Sequence, residues 1–324
     1  MGLYDRFDFL EIGDQIPQPV CEVAPRTPDV VQQSVVKSGN MQLVVDQIIG
    51  KRGSAIGEFN CPAGLACDAQ GTLYVADSYN HRIQMISPDG DVMALGGKGS
   101  GPGHFLNPQD IAIGFDASLY ILEQGNHRVQ RITLDGRLMD VIGRRGDSAG
   151  EFNAPMGIAV DSTGHIYIAD TGNSRVQKLG PNGMPVYCIN GRESTQILSP
   201  QGVEVDTDGN CYVADTFSNC ILMFDPLGKE VLKFGCQGRA KGQFDEPQDL
   251  ALDDKNRLHI IEMGANRMQV FVDSNTCVAC LDASSSSVGA LNAPTGIAIG
   301  PRGEVYIADT MNHRVLRIVW RTTA

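Results

Sequence analysis

Two aspartates in matching surroundings are the residues of this sequence best suited to chemistry. Asp110 follows Pro108-Gln109, and Asp249 follows Pro247-Gln248. Two carboxylates on opposite walls of one channel can hold a divalent cation or a cationic ligand, with Gln109 and Gln248 beside them. The alternative is that each aspartate caps a turn within its own segment. The choice depends on the elements that carry the two triplets.

A repeat of 45 to 47 residues carries both triplets. Prolines that open apolar strands recur at this interval, and an acid closes the next strand of each copy. The prolines are Pro62, Pro108, Pro155, Pro200, Pro247 and Pro294, and the acids are Asp77, Glu123, Asp170, Asp215, Glu262 and Asp309. Each copy holds four short strands between Gly, Asp and Asn turns, which is the size of a propeller blade. The sequence therefore predicts an all-β fold, a six-bladed β-propeller over residues 42–324.

The two ends of the repeat region are complementary. The sixth copy stops after its third strand, Val315–Val319, whereas the segment from Gln42 to Gly50 reads like the fourth strands of the other copies. We expect this N-terminal strand to complete the last blade, because an unpaired strand edge would invite aggregation.

The repeats resemble NHL repeats. The resemblance rests on six copies in one register, and the clearest strings are YVADSYNHRIQ (74–84), YILEQGNHRVQ (120–130), YIADTGNSRVQ (167–177) and YIADTMNHRVL (306–316). It implies a six-bladed propeller but no single function, since propellers of this type include protein-binding modules, RNA-binding modules and a zinc-dependent amidating lyase.

A recurring ion pair is predicted between strands two and three. In five copies an arginine follows the strand-two acid by five positions, namely Arg82, Arg128, Arg175, Arg267 and Arg314, and Cys220 takes this place in the fourth copy. An acid at this point can accept hydrogen bonds from the arginine and from loop amides, so we interpret the pair as structural.

Blades 1–3 and 4–6 look like two copies of one unit. Blades 2 and 5 share the Pro-Gln-Asp triplet and a glutamate at the end of strand two, which places Asp110 opposite Asp249 in the ring. Glu204 replaces the alanine of the other five copies on the inner strand. A carboxylate there is costly unless it is solvated or paired, so Glu204 either lines the channel or meets an arginine.

Other catalytic and cofactor motifs were not found. The sequence has no P-loop, no G-x-S-x-G elbow and no H-E-x-x-H. Its histidines spread around the ring, so a three-histidine zinc site like that of the amidating lyase is not evident. Cys277 and Cys280 point to opposite faces of one strand and cannot share a metal easily. No cofactor is predicted beyond a divalent cation held by Asp110 and Asp249.

Charge is predicted to differ between the two faces of the ring. The net charge is −12, yet the connections between strands four and one carry cations, while aspartates crowd the turns of the other face. These cations include Lys51, Arg52, Arg144, Arg145, Arg192 and Arg239. Such a face can dock an acidic protein or a phosphate backbone, although few aromatic side chains are present to stack RNA bases.

Residues 1–41 form an N-terminal extension outside the ring. Its apolar tip contains Leu3, Tyr4, Phe7, Phe9 and Leu10, and four prolines and a short helix predicted over 28–38 follow. The tip either packs back on the propeller or binds another protein.

The sequence thus predicts a non-catalytic scaffold or accessory subunit that binds a protein partner through the extension or the basic face. A metal-dependent lyase or hydrolase and an RNA-binding protein are the alternatives. Nine cysteines without framework spacing, no secretory signal and no apolar membrane span predict a cytoplasmic protein.

Overall fold

The protein folds into six four-stranded antiparallel sheets arranged as propeller blades. This computed structural model describes residues 41–189, 196–282 and 289–322, so the predicted N-terminal extension, with its helix and its apolar tip, lies outside the described residues. The propeller and its repeat register confirm the predicted fold.

Each blade is built from strands that follow one another in the chain. Blade 1 consists of β2 (Pro62–Cys67), β3 (Leu73–Asp77), β4 (Arg82–Ile86) and β5 (Val92–Gly96). Blade 2 consists of β6 (Pro108–Ile113), β7 (Leu119–Glu123), β8 (Arg128–Ile132) and β9 (Leu138–Ile142). Blade 3 consists of β10 (Gly157–Val160), β11 (Ile166–Asp170), β12 (Arg175–Leu179) and β13 (Pro185–Ile189).

The second half repeats this order. Blade 4 consists of β14 (Pro200–Val205), β15 (Cys211–Asp215), β16 (Cys220–Phe224) and β17 (Glu230–Phe234). Blade 5 consists of β18 (Pro247–Leu252), β19 (Leu258–Glu262), β20 (Arg267–Asp273) and β21 (Thr276–Leu281). Blade 6 consists of β22 (Gly296–Ile299), β23 (Val305–Asp309), β24 (Arg314–Thr322) and β1 (Met41–Ile49). Single 3₁₀ turns lie at Ser78–Asn80, Thr171–Asn173, Thr216–Ser218 and Thr310–Asn312.

The N-terminal strand closes the ring as predicted. β1 pairs antiparallel with β24, from Met41 opposite Thr322 to Ile49 opposite Val315, with one bulge after Val45. Leu43 is buried in the core between blades 5 and 6, and Asp46 pairs with Arg321 at 2.6 Å near the outer edge. The closing strand therefore contributes both backbone hydrogen bonds and apolar packing.

The hydrophobic core lies between neighbouring blades. Six clusters of buried side chains fill the six junctions, and one of them joins Tyr74 and Ile83 of blade 1 to Ile111 and Leu119 of blade 2. Strands that are covered on both faces read as continuous apolar runs, which explains segments such as β7 and β11.

The alternation of strands gives the ring two different ends. We call the end with the connections between strands two and three and between strands four and one the loop face. We call the opposite end, with the connections between strands one and two and between strands three and four, the turn face. Buried Phe59, Phe105, Phe152 and Phe244 anchor four of the loops on the loop face. On the turn face, Asp68, Asp161, Asp206 and Asp253 each accept two backbone N–H groups of their own turn, as expected for structural aspartates.

Candidate functional site

The two predicted aspartates line one narrow cavity in the central channel. Asp110, Asp249, Gln109 and Gln248 contribute to its wall together with Gly64, Met156, Gln201, Gly202 and Thr295. The free volume is about 10 Å³, which is the space of a single water molecule. The structure thus brings the four predicted channel residues together, in a space too small for an organic substrate.

Each of these aspartates joins its blade to the next one. One carboxylate oxygen of Asp110 accepts the N–H of Ile111 at 2.8 Å, and the other accepts the N–H of Ile158 in blade 3, also at 2.8 Å. Asp249 repeats this arrangement with Leu250 at 2.9 Å and with Ile297 of blade 6 at 3.1 Å. Neither alternative of the sequence analysis included this contact between blades.

Close packing of the inner strands explains why the other four blades have glycine at this place. A Cβ atom on Gly157 would lie 2.1 Å from the carbonyl oxygen of Gln201, and a Cβ on Gly296 would lie 2.1 Å from that of Ala63. A Cβ on Gly64 would lie 2.4 Å from the Cα of Asp110. The channel is therefore narrow because backbones of neighbouring blades touch.

The channel carboxylates favour their protonated forms. Burial raises the pKa of Asp110 despite its two backbone hydrogen bonds, and the charge of Glu204 raises it further. Burial followed by the charge of Asp110 raises the pKa of Asp249 well above its usual range. Because the charge of each group disfavours ionisation of another, the three carboxylates resist becoming negative together.

Glu204 lies within the electrostatic reach of both aspartates. Its Oε1 accepts the N–H of Val205 at 3.0 Å, and among the described residues no Arg or Lys forms an ion pair with it, in contrast to one of the two predicted arrangements. Burial, followed by the charges of Asp249 and Asp206, raises its pKa to about 7. Glu204 is not part of the cavity wall, so its place in the channel stays a prediction.

A divalent cation in the channel stays a prediction. In the parts of the chain that the structure describes, no three His, Cys, Asp or Glu side chains are close enough together to hold a metal ion. The eight cysteines within these parts, Cys277 and Cys280 among them, form no disulfide.

The recurring acids and arginines form buried ion pairs at the loop face. Arg175 Nε lies 2.6 Å from Asp170, and its guanidinium also donates to the carbonyl oxygens of Asp147, Ser148 and Glu151. Blades 1, 2, 5 and 6 repeat the pair. In blade 4, Ser218 Oγ donates to Asp215 at 2.6 Å where Cys220 has replaced the arginine. These contacts agree with the structural interpretation.

The histidines next to these pairs connect neighbouring blades, a role that the sequence analysis missed. Nδ1 of His81 accepts the N–H of Asn107 at 3.1 Å, and Nδ1 of His127 accepts that of Ala154 at 2.9 Å. His313 does the same for Cys61 at 3.1 Å. Asn219 and Asn266 take the same place in blades 4 and 5 and accept through their amide oxygens. The presence of Asn at the position that is His in other blades was the sequence signal for a hydrogen-bond acceptor at this place.

Exposed cations stand beside these histidines on the loop face. Lys51, Arg144 and Arg239 pair with Glu58, Glu151 and Asp245 at 3.4, 2.8 and 3.0 Å. Arg52, Lys98 and Arg145 occupy equivalent places in blades 1, 2 and 3, and within the described residues none of these three forms an ion pair. We call these three residues the cationic row. Arg192 and the apolar tip with Leu3, Tyr4, Phe7, Phe9 and Leu10 lie outside the described residues.

The charges of the cationic row lower the pKa values of the neighbouring histidines. Burial, followed by the charge of Lys98, lowers the pKa of His81. Burial, followed by the charge of Arg145, lowers the pKa of His127. Burial, followed by the charge of Arg52, lowers the pKa of His313. The histidines are therefore neutral at pH 7, which their role as acceptors requires.

Comparison with known proteins finds a known repeat in three of the blades. The NHL repeat model matches residues 59–85, 152–179 and 291–318, which belong to blades 1, 3 and 6. Three NHL repeats thus lie within the six-bladed β-propeller. No curated protein matches the chain significantly.

Solved structures share the fold at low sequence identity. A protein of unknown function from Bacteroides thetaiotaomicron VPI-5482 is 18% identical, with a TM-score of 0.70 over 87% of this chain and 76% of that one. A gluconolactonase from Xanthomonas campestris is 16% identical, with a TM-score of 0.63 over 93% of this chain and 100% of that one. A virginiamycin B lyase from Staphylococcus aureus is 14% identical, with a TM-score of 0.59 over 86% and 99%. At these identities the likeness concerns the fold alone.

In the parts of the chain that the structure describes, no helix has the length and hydropathy needed to span a bilayer.

Proposed function

We propose that this propeller is an interaction module whose loop face binds an acidic segment of a protein partner. The observation that carries the proposal is the cationic row, three exposed cations without an ion-pair partner in the described residues, in a chain with a net charge of −12. A positive patch on a negative protein directs an acidic partner to one face and repels it from the rest.

The backbone holds the cationic row in a fixed arrangement. Arg52, Lys98 and Arg145 form parallel β-bridges with Phe59, Phe105 and Phe152, the aromatic residues that anchor the loops in the core. The loop amides are satisfied locally, as when Phe105 donates to Gly97 at 2.8 Å. Cations on ordered loops lose little conformational freedom on binding, which favours a specific contact.

Co-purification of the full-length protein with its partners tests the proposal. The double variant Lys98→Ser/Arg145→Ser removes two cations from the row. The matched control Arg137→Ser/Lys229→Ser removes the same charges and residue types from exposed turns of the turn face. We expect the first variant to lose the co-purifying proteins and the control to retain them, with recovery decreasing as salt increases.

Two outcomes would contradict the proposal. Equal recovery by both variants would show that the cationic row does not bind the partner. Loss of the captured proteins after ribonuclease treatment would indicate the RNA-binding alternative instead. A variant without residues 1–40, included in the same experiment, tests the predicted contribution of the N-terminal extension.

A further inference from the structure

A second basic site lies on the turn face, far along the chain from the cationic row. It is a pocket of about 420 Å³ between blades 5 and 6, and its wall includes Lys255, Arg257, Arg302, Arg317, Trp320 and Glu304. Pockets of this size hold small molecules. The sequence predicts an acidic surface on this face, and none of these residues was among the predicted site residues.

Two of the four cations in the pocket wall are available to a ligand. Lys255 and Arg302 are exposed, and neither forms an ion pair within the described residues. Arg257 forms an ion pair with Asp253 at 2.6 Å, and its guanidinium lies 4.6 Å from the ring centroid of Trp320. Arg317 forms ion pairs with Glu304 and with Asp46, each at 3.5 Å. Asp254 and Glu304 line the wall, and Asp253 and Asp46 pair with its arginines, so the uncompensated cations are Lys255 and Arg302.

Two hydrogen-bond donors of this wall have no acceptor. Nε1 of Trp320 and Nε of Arg317 are both buried, and neither has a hydrogen-bond partner in the described structure. A buried donor without an acceptor costs about 1 to 3 kcal/mol, and native structures retain few of them. The hydrogen bonding of two residues of this wall is therefore incomplete in the described structure.

From this geometry we propose that the pocket binds a phosphate group. A phosphate dianion can accept hydrogen bonds from two cations and offers three acceptor oxygens, whereas a single carboxylate carries half that charge and has two. Arg302 and Lys255 supply the free cations. The phosphate belongs either to a small organic molecule or to free inorganic phosphate, and the two sources differ in the affinity that they give.

The position of the pocket couples binding to closure of the ring. Arg317, Val319 and Trp320 belong to β24, which pairs with β1, while Lys255 and Arg257 belong to blade 5. A bound phosphate therefore joins the closing sheet to its neighbour. Since the ligand binds the folded ring alone, it should raise the melting temperature as its concentration increases.

Trp320 reports directly on the proposal, because it is the single tryptophan of the chain. We would titrate the full-length protein with inorganic phosphate, with glucose 6-phosphate and with malate, each against sodium chloride of equal ionic strength. Intrinsic fluorescence, binding heat and melting temperature are recorded together. We expect saturable binding of the two phosphate probes and a rise in melting temperature, and little effect of malate.

Matched variants locate the binding to this pocket. Arg302→Gln/Lys255→Gln should weaken phosphate binding by roughly tenfold or more, because it removes two charge-assisted contacts from exposed positions. Arg137→Gln/Lys229→Gln, which removes the same charges elsewhere on the turn face, should bind as the parent does. Tighter binding of glucose 6-phosphate than of inorganic phosphate identifies an organic ligand, and the reverse order identifies free phosphate.

Three results would overturn the proposal. These are absence of both binding heat and a melting shift with either phosphate probe, an equal response to malate, or equal weakening by the two double variants. A response reproduced by sodium chloride at the same ionic strength would show general screening and would also reject the site.

Discussion

Nδ1 of His127 accepts the backbone N–H of Ala154 at 2.9 Å, and this bond joins blade 2 to blade 3 on the loop face. His127 has a positive φ of 53°, as do its counterparts His81 and His313 at 56° and 53°. Asn219 and Asn266 have the same backbone conformation and the same contact in other blades. The same contact is therefore made in some blades by an imidazole nitrogen, which can be protonated, and in others by an amide oxygen, which is not protonated in the pH range of proteins.

We predict that replacing all three histidines by asparagine removes an acid-sensitive part of the stability. A lowered pKa in the folded state means that the stabilisation is complete above the unfolded value of about 6.5 and is lost as the pH falls. The triple variant should match the parent in free energy of unfolding at pH 8 and exceed it at pH 5, where protonation of the histidines removes their acceptor atoms. Urea unfolding across this range measures the difference. His104→Asn, at an exposed site, should leave the pH dependence unchanged, and identical curves for parent and triple variant would contradict the prediction.

Glu204→Gln should stabilise the protein at high pH. The pKa of Glu204 is raised from 4.5 to about 7, so the folded state holds a proton that the unfolded state has lost between these values. Stability due to this group is present below pH 4.5 and is lost as the pH rises to about 7. At pH 8 the variant should therefore gain on the order of 2 kcal/mol, while keeping an acceptor for Val205.

The pH dependence distinguishes this effect from a general change in charge. The gain from Glu204→Gln should become small near pH 4.5 and disappear below it, where the parent is protonated in both states. Asp89→Asn removes one negative charge from an exposed turn and should change stability by less than about 0.5 kcal/mol. A gain of equal size at pH 4.5 and pH 8 would contradict the proposed cause.

Gly157→Ala should strongly destabilise the ring. Its Cβ would meet the carbonyl oxygen of Gln201 at 2.1 Å, and the inner strands of blades 3 and 4 would have to move apart. Overpacking of this kind costs about 1 to 3 kcal/mol or more. Gly101→Ala is the matched control, because its nearest neighbour would be 3.9 Å away. Similar unfolding midpoints for the two variants would show that the inner strands can separate at little cost.

Leu43→Ala tests how much the closing strand contributes through packing. Leu43 is buried between blades 5 and 6, whereas Ile48 of the same strand is 47% exposed. Removing a buried leucine side chain should cost about 2 to 5 kcal/mol, and Ile48→Ala should cost much less. Chemical denaturation of both variants measures this contrast. Equal losses would indicate that β1 is held by its backbone pairing rather than by its side chains.

The fold could be predicted from the sequence because each blade repeats one register. The spacing of the prolines and acids, and the missing fourth strand after Val319, were enough to predict both the number of blades and the pairing of β1 with β24. The pair of Arg175 and Asp170 was also accessible, since a single loop separates the two residues.

The contacts between blades could not be read from the sequence. Asp110 and Ile158 belong to different blades, as do His127 and Ala154, and no local pattern links them. The phosphate pocket is the extreme case, because Lys255 and Trp320 meet only when blades 5 and 6 lie side by side. Residue type within one blade can indicate a hydrogen-bond acceptor, but it does not show which residue of the next blade the acceptor meets.

The pairing of Met41 with Thr322 has a consequence for engineering the chain. These two residues are directly opposite each other in the last sheet, so a short peptide linker could fuse residue 41 to residue 322 and make the propeller a covalent circle. New termini could then be opened in an exposed hairpin such as the one around Gly90, and the last blade would be held by a peptide bond in addition to strand pairing. In such a permuted protein, β1 could not separate from β24 by fraying of a chain end.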